Sequence, residues 1–221
     1  MSNLSIRETL QSLHDAGLTS LPGGGAEILD DNVRKVICNG KESSQEYLDI
    51  HETAHSIGLP SNCTMLFGTI ETAKQRVEHM IQLRDLAKRT NGFQCFVPYP
   101  FLPDSTRLPM AQLSTGQEIL RVIAVSRIML HSIPHIKAYR MNIGDSMAEL
   151  ALQYGADDID GTVKQESIMH LAGSKAPLDH GVNQLAKLVT RSGNIPIKRN
   201  TIYSEFEEFV PAKKPRRLPV I

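Results

Sequence analysis

The stretch Leu21-Pro22-Gly23-Gly24-Gly25-Ala26-Glu27-Ile28 decides how this chain is read. A short apolar approach, Leu18 to Pro22, runs into three consecutive glycines and then into a helical pattern. Glycine has no Cβ and adopts φ > 0 freely, so such a turn lets a ligand lie against the peptide plane. From Ala26 to Ile37 apolar residues recur at Ile28, Leu29, Val33, Val36 and Ile37, which predicts an amphipathic helix. Its amino end would direct unpaired N–H groups at whatever the glycines admit. Taken alone, the run reads as a tight strand–helix turn and nothing more.

Outward from the turn, strands and helical patterns alternate. Ser2 to Ala16 carries Leu4, Leu10 and Leu13 on one side and stops at Gly17, which predicts a helix. Ser43 caps a predicted helix through His55, with Glu46 at the reciprocal position. Cys63 to Phe67 reads as a short buried strand and Glu71 to Lys88 as a long helix. Phe93 to Val97 is the next strand, and Pro98, Pro100, Pro103 and Pro109 punctuate a long loop after it. Gly116 to Leu130 is helical, His135 to Met141 a strand, Ser146 to Tyr154 a helix and Ala156 to Ile159 a strand. Helices at Lys164 to Leu171 and Val182 to Thr190 follow. Five strands separated by helices predict an α/β fold with one parallel sheet and right-handed crossovers. Residues 1–203 form one unit in this reading, and residues 204–221 a polar, proline-rich tail. An eight-unit (β/α) barrel typically needs about 250 residues, so five strands make either an open sheet or the back part of a barrel.

Composition narrows the function classes. Net charge is +0, with 41% hydrophobic and 22% charged residues, which fits a globular chain without general affinity for nucleic acid or membrane surfaces. The basic group Lys213, Lys214, Arg216 and Arg217 is interrupted by Pro215 and reads as a solvated tail. No apolar run reaches spanning length and no signal-peptide pattern opens the chain, so a cytoplasmic location is expected. Cys38, Cys63 and Cys95 are odd in number and far apart, which argues against a disulfide framework and against a metal site of this chain's own.

Three segments in this order resemble radical SAM enzymes of menaquinone and deazaflavin biosynthesis: Leu21 to Ile28, Thr64 to Glu71 (TMLFGTIE) and Ile136 to Gly161, which spans IKAYRMNIG and GADDIDG. Within that group, Ile136-Lys137-Ala138-Tyr139 and Asp157-Asp158-Ile159-Asp160-Gly161-Thr162, followed by Glu166, His170 and Ala172-Gly173, resemble the aminofutalosine synthase family. The resemblance runs from the first helix to Tyr203. It implies a partial (β/α) barrel of the radical SAM type whose first strands are missing. It also implies a reaction in which a 4Fe–4S cluster reduces S-adenosylmethionine, and the deoxyadenosyl group adds to an enolpyruvyl-oxybenzoate with loss of carbon dioxide. The cofactor carries the radical chemistry, while the protein positions partners and excludes solvent.

Residue roles follow from the same resemblance. Gly24 and Gly25 would admit S-adenosylmethionine, with Glu27 near its polar groups. Met65 and Phe67 would contact the adenine, although their alternation with Leu66 makes at least one of them core. Arg140 would hold a substrate carboxylate, or else pair with a structural one such as Asp157 or Asp160. Asp160, Glu166 and His170 are the candidate group for ribose contacts or proton transfer, and Glu166 with His170 at i,i+4 is alternatively a surface helix pair. His51 and His55 share that spacing and read as a helix face.

Nothing in the chain matches the family's Cys-x-x-x-Cys-x-x-Cys cluster loop, and Thr69 and Leu102 stand where the family tends to have histidine. Two classes remain open. One is the carboxy-terminal part of a radical SAM transferase whose cluster comes from a separate or upstream amino-terminal segment, of aminofutalosine, futalosine-cyclase or deazaflavin type. The other is a truncated, non-catalytic binding fragment. In either case missing strands predict exposed sheet edges and bare apolar residues on the barrel's inner side.

Overall fold

Three helices begin with the same local device, a hydroxyl that caps the third helical N–H while the residue there reaches back. Ser5 with Glu8 opens α1 (Ile6–Asp15), Ser43 with Glu46 opens α3 (Ser44–Ser56), and Thr72 with Gln75 opens α4 (Ala73–Thr90). The computed structural model describes residues 4–104 and 108–210. The other helices are α2 (Asp31–Ile37), α5 (Gly116–Met129), α6 (Arg140–Ile143), α7 (Asp145–Ala151), α8 (Ile168–Leu171) and α9 (Val182–Arg191).

The sheet is parallel and runs β1 (Ser61–Phe67), β2 (Phe93–Pro100), β3 (His135–Ala138), β4 (Asp158–Ile159) in spatial as in chain order. Leu21 forms a single parallel bridge to Ser61 on the free side of β1. The five expected strands are therefore present in the expected order, with the first reduced to one bridge. This arc of parallel strands and crossover helices is a partial barrel. No helix among the described residues is long and apolar enough to cross a membrane.

Strand alternation divides the sheet into two faces. Cys63, Met65 and Phe67 of β1 lie opposite Phe96, Pro98 and Pro100 of β2, and Phe96 lies opposite Ile136. On this face Cys63, Met65, Phe67, Phe96, Ile136 and Ala138 join Met80 and Leu83 of α4 and Ile123 of α5 in the main core. The other face carries Asn62, Leu66, Tyr99 and Lys137, all half-buried, and is the inside of the arc.

The structure corrects several boundaries. The helix expected from Ala26 starts only at Asp31, because Asp30 caps it through Asn32 and Val33 N–H. Residues 26–29 instead continue alongside β1, with Leu66 N–H donating to Glu27 O at 2.9 Å. β2 runs through both prolines to Pro100. In β2 the odd-numbered N–H groups face β1, as Phe101 N–H to Phe67 O shows, so Pro98 and Pro100 face β3. Pairing with β3 ends at Phe96, so the two missing donors break no ladder bond. β3 stops at Ala138, and Arg140 starts a short helix instead of ending the strand. The helix expected over Lys164 to Leu171 shrinks to α8, which leaves Glu166 outside it.

The expected tail starts inside a further element. β5 (Ile197–Arg199) and β6 (Phe206–Glu208) form an antiparallel hairpin. It reaches the starting ends of the parallel strands: Gln94 Nε2 donates to Ile202 O at 2.6 Å, and Tyr203 stacks on His135 with centroids 4.6 Å apart. Asp158 is the anchor, accepting two bonds from Arg199 at 2.8 Å and one from Tyr203 Oη at 2.7 Å, with Lys137 Nζ at 3.1 Å. The basic group Lys213 to Arg217 lies outside the described residues.

Two predictions follow from packing. Asp158→Ala strands the Arg199 and Lys137 charges, at a cost of about 3 kcal/mol or more. Thermal unfolding is expected to drop by about 6–12 °C, and an unchanged midpoint contradicts the anchor. The second prediction concerns acid. Burial pushes His51 and His55 down to about 4, and His79 to about 3. These imidazoles stay neutral when folded and take up protons near pH 6.5 when unfolded, so stability is full above that pH and falls as pH drops. His51 and His79 each remove about 2 kcal/mol between pH 7 and pH 5. Denaturant titrations at the two pH values measure this, and equal unfolding free energies refute it.

Candidate functional site

The glycine turn is held from four sides. Tyr47 Oη of α3 donates to Gly23 O at 2.8 Å, and Ala26 N–H donates to Thr64 Oγ1 of β1 at 2.8 Å. Arg34 Nη1 of α2 donates to Ala26 O, and Lys41 Nζ donates to Gly25 O at 3.0 Å. A stripe of α4 fixes the exit: Gln75 donates to Asp30 at 2.9 Å, His79 Nδ1 accepts from Leu29 N–H at 3.0 Å, and Gln82 donates to Leu29 O at 2.9 Å. His79 Nε2–H in turn donates to Thr64 O at 3.0 Å, so one neutral ring ties the turn to the strand.

Within this frame the glycines do different work. Gly23, Gly24 and Gly25 have φ of 107°, 61° and 60°, and Glu27 follows at 51°. A Cβ on Gly23 would sit 3.1 Å from both Asn62 O and Thr64 Cγ2, so this glycine permits close packing. A Cβ on Gly24 would meet nothing within 4 Å. Among the described residues no hydrogen bond uses the N–H of Gly24 or of Gly25. The turn therefore presents bare backbone donors to open space, at a place set by packing and not by the amino end of a helix. Glu27 beside it pairs with Lys41 at 2.7 Å.

The remaining predicted residues separate. Met65 and Phe67 both belong to the core on the helix side, with Arg76 of α4 5.4 Å over the Phe67 ring. Their side chains face away from the inner surface, which Leu66 and Asn62 of β1 face instead. Glu71, which ends the Gly-x-x-Glu segment, is structural: it accepts from Gly68 and Thr69 N–H at 2.6 and 2.8 Å and from Arg76 at 2.6 Å.

Arg140 is wholly buried. Its Nη1 donates to Pro177 O at 3.0 Å and to Asp145 at 3.2 Å, and its Nε lies 3.6 Å from Asp160 Oδ2. Asp160 Oδ1 accepts from Arg140 N–H, while Oδ2 is buried without a hydrogen bond. Burial raises the Asp160 pKa above the usual carboxylate value despite the Arg140 charge. Glu166 accepts from Met169 N–H at 3.0 Å and His170 Nε2 bonds Ala176 O at 2.9 Å, so each is tied to its own loop and they are not a helix pair. The three aspartates of the 157–160 segment have three separate partners. Asp157 takes Ile136 N–H at 2.8 Å and Arg127 at 2.6 Å, Asp158 holds the hairpin, and Asp160 holds Arg140.

Sequence reasoning missed Thr64 and His79, which hold the turn, and the inner-face pair Tyr99 and Tyr139. Alternation puts Tyr99 on the side of Val97 and Tyr139 on the side of Lys137 but leaves open which side faces the helices; a lone histidine within α4 carries no signal at all.

An iron–sulfur cluster needs three converging thiolates. Among the described residues no three His, Cys, Asp or Glu side chains are grouped to hold a metal. Cys63 lies in the helix-side core, Cys38 ends α2, and burial pushes Cys95 up to about 12. These residues do not fit a cluster.

Residues 90–212, more than half of the chain, match the family described as the CofH/MqnC C-terminal region. The chain is 41% identical over 209 residues to aminodeoxyfutalosine synthase of Thermus thermophilus, covering 93% of this chain and 56% of that protein. It is 40% identical over 212 residues to 5-amino-6-(D-ribitylamino)uracil–L-tyrosine 4-hydroxyphenyl transferase of Methanothermobacter thermautotrophicus, covering 94% and 58%. The chain spans little more than half the length of either relative. The FeFe-hydrogenase maturase HydG of Carboxydothermus hydrogenoformans superposes with a TM-score of 0.70 at 15% identity, over 90% of this chain and 47% of that one, a likeness of fold alone. Two different reactions at nearly equal identity define the family and leave the member open. The partial barrel and these matches lead to one conclusion: the chain belongs to the CofH/MqnC C-terminal-region family.

Proposed function

We propose that this chain is the ligand-holding part of an aminodeoxyfutalosine synthase, acting with a separate or upstream segment that carries the cluster cysteines. The observation that carries this choice of member is the Asp157-Asp158-Ile159-Asp160-Gly161-Thr162 segment, whose three carboxylates each take a different partner. The open side of Gly24 and the unpaired N–H groups beside it support a place for S-adenosylmethionine at the turn. When bound, that group supplies the deoxyadenosyl unit that is transferred.

The chain's own residues then have distinct tasks. Gly24 and Gly25 bind through backbone, and Glu27, oriented by Lys41, faces a cationic amino group. The inner edge of β1 at Thr64 to Phe67 lines the adenosine through its backbone and Leu66, since Met65 and Phe67 are committed to the core. Arg140 is enclosed, so we assign it the positioning of Asp160 in place of a substrate carboxylate. Asp160, the carboxyl whose proton affinity burial raises, is the candidate for proton transfer. Glu166 and His170 shape the loop over it.

The decisive assay mixes the chain with a segment bearing the cysteine loop, iron, sulfide, reductant, S-adenosylmethionine and an enolpyruvyl-oxybenzoate. Aminodeoxyfutalosine forming only with both pieces is expected; futalosine cyclisation or hydroxyphenyl transfer instead would reassign the member, and no turnover of any kind would sink the enzyme reading. The chain alone is expected to hold no iron above background after anaerobic reconstitution, and stoichiometric iron contradicts that. In the reconstituted system Asp160→Asn is expected to lower kcat about a hundredfold without loss of fold. An unchanged kcat removes Asp160 from proton transfer.

A further inference from the structure

Two tyrosines on the inner face have no task in the fold. Tyr99 lies opposite Leu66 near the end of β2, and Tyr139 directly follows β3. The chain neighbours Pro98 and Pro100 of Tyr99, and Ala138 and Arg140 of Tyr139, are buried, and both rings are half-buried on the inside of the arc. The rings meet edge to face, with centroids 5.2 Å apart and planes at 72°. The other tyrosines differ: Tyr47 and Tyr203 hydroxyls are hydrogen-bonded, and Tyr154 lies at the surface. Among the described residues the hydroxyls of Tyr99 and Tyr139 make no hydrogen bond, and neither is sealed in the core, so both reach open space on the inner face.

An edge-to-face pair forms a corner. A third flat ring entering it stacks on one phenol and meets the edge of the other, and both free hydroxyls can donate to an oxygen on that ring. Phenols are neutral donors at physiological pH, and burial raises both of these further above their ordinary value. Glu27, Asp160 and Glu166 are the acidic groups facing them, and Arg140 the cationic one. The pair lies one and two strands beyond β1, on the side away from the glycine turn, which is about 5–10 Å across the sheet.

We propose that Tyr99 and Tyr139 form an aromatic clamp for the substrate's oxygen-bearing arene, leaving the glycine turn and β1 to the nucleoside. The assignment deepens the reading above and rests on it. Adenine is also a flat ring, so the test separates the two sources.

Calorimetric titration of the full chain with meta-hydroxybenzoate, cyclohexanecarboxylate and adenosine reads the clamp without any cluster. The chain contains no tryptophan, so tyrosine emission reports ring contact directly. Hydroxybenzoate is expected to bind more tightly than its saturated counterpart and to change tyrosine emission. Y99L and Y139L are each expected to weaken it about tenfold, Y99F and Y139F about threefold, and Y154L not at all. Adenosine affinity is expected to be unchanged in all five. Circular dichroism confirms folding, and the phenylalanine variants, which keep the packing, stand if a leucine variant fails to fold. Equal binding of the saturated acid, insensitivity to the tyrosine variants, loss of adenosine affinity instead, or no hydroxybenzoate binding by the unaltered chain would each overturn the clamp. None of these outcomes touches product formation in the two-piece assay, which tests the underlying reading separately.

Discussion

The neutral imidazole of His79 is the constraint on which the ligand-facing side depends. Its Nδ1 must accept from Leu29 N–H while its Nε2 donates to Thr64 O, and only one uncharged tautomer does both. Thr64 extends the link by accepting from Ala26 N–H through its hydroxyl. One helix, one strand and the turn are thereby fixed against each other around a fully buried ring. With its flanks bound, the middle of the turn has no partner left to take, and Gly24 faces open space.

The inner face is organised by carboxylates in the same way. Asp157, Asp158 and Asp160 lie in and beside β4, and each secures a different structure: the start of β3, the hairpin and the turn after β3. A segment that looks like a cluster of catalytic acids is mostly a set of fasteners. What they fasten is the surface on which Leu66, Tyr99 and Tyr139 are displayed. Arg140 belongs to this scaffold, since its guanidinium has no exposure and is enclosed by Pro177 O, Asp145 and Asp160.

Element order and sheet topology were legible because they rest on periodicity and caps, which are local. Ser43 with Glu46 marks a helix start that the structure keeps, and the helix expected from Gly116 begins there. The failures share a cause, tertiary context overriding local pattern. Asp30 capping α2 and the pairing of Glu27 with Leu66 delayed a helix that apolar spacing placed at Ala26. Pro98 and Pro100 look like strand breakers, yet each faces the β3 side of β2, where the pairing ends at Phe96, while β2 stays paired to β1 through Pro100. For the site, Gly24 and Gly25 stand where a bare backbone was expected. The side chains of Met65 and Phe67 do not, because alternation alone leaves open which parity faces the helices.

Amide chemical shifts of the isolated chain, recorded while S-adenosylmethionine is added, test the central claim most directly. Saturable shifts are expected at Gly24, Gly25, Glu27 and Leu66, with none in the hairpin around Tyr203. An unchanged spectrum at saturating ligand, or shifts confined to the hairpin and α9, would contradict a preformed nucleoside site at the glycine turn.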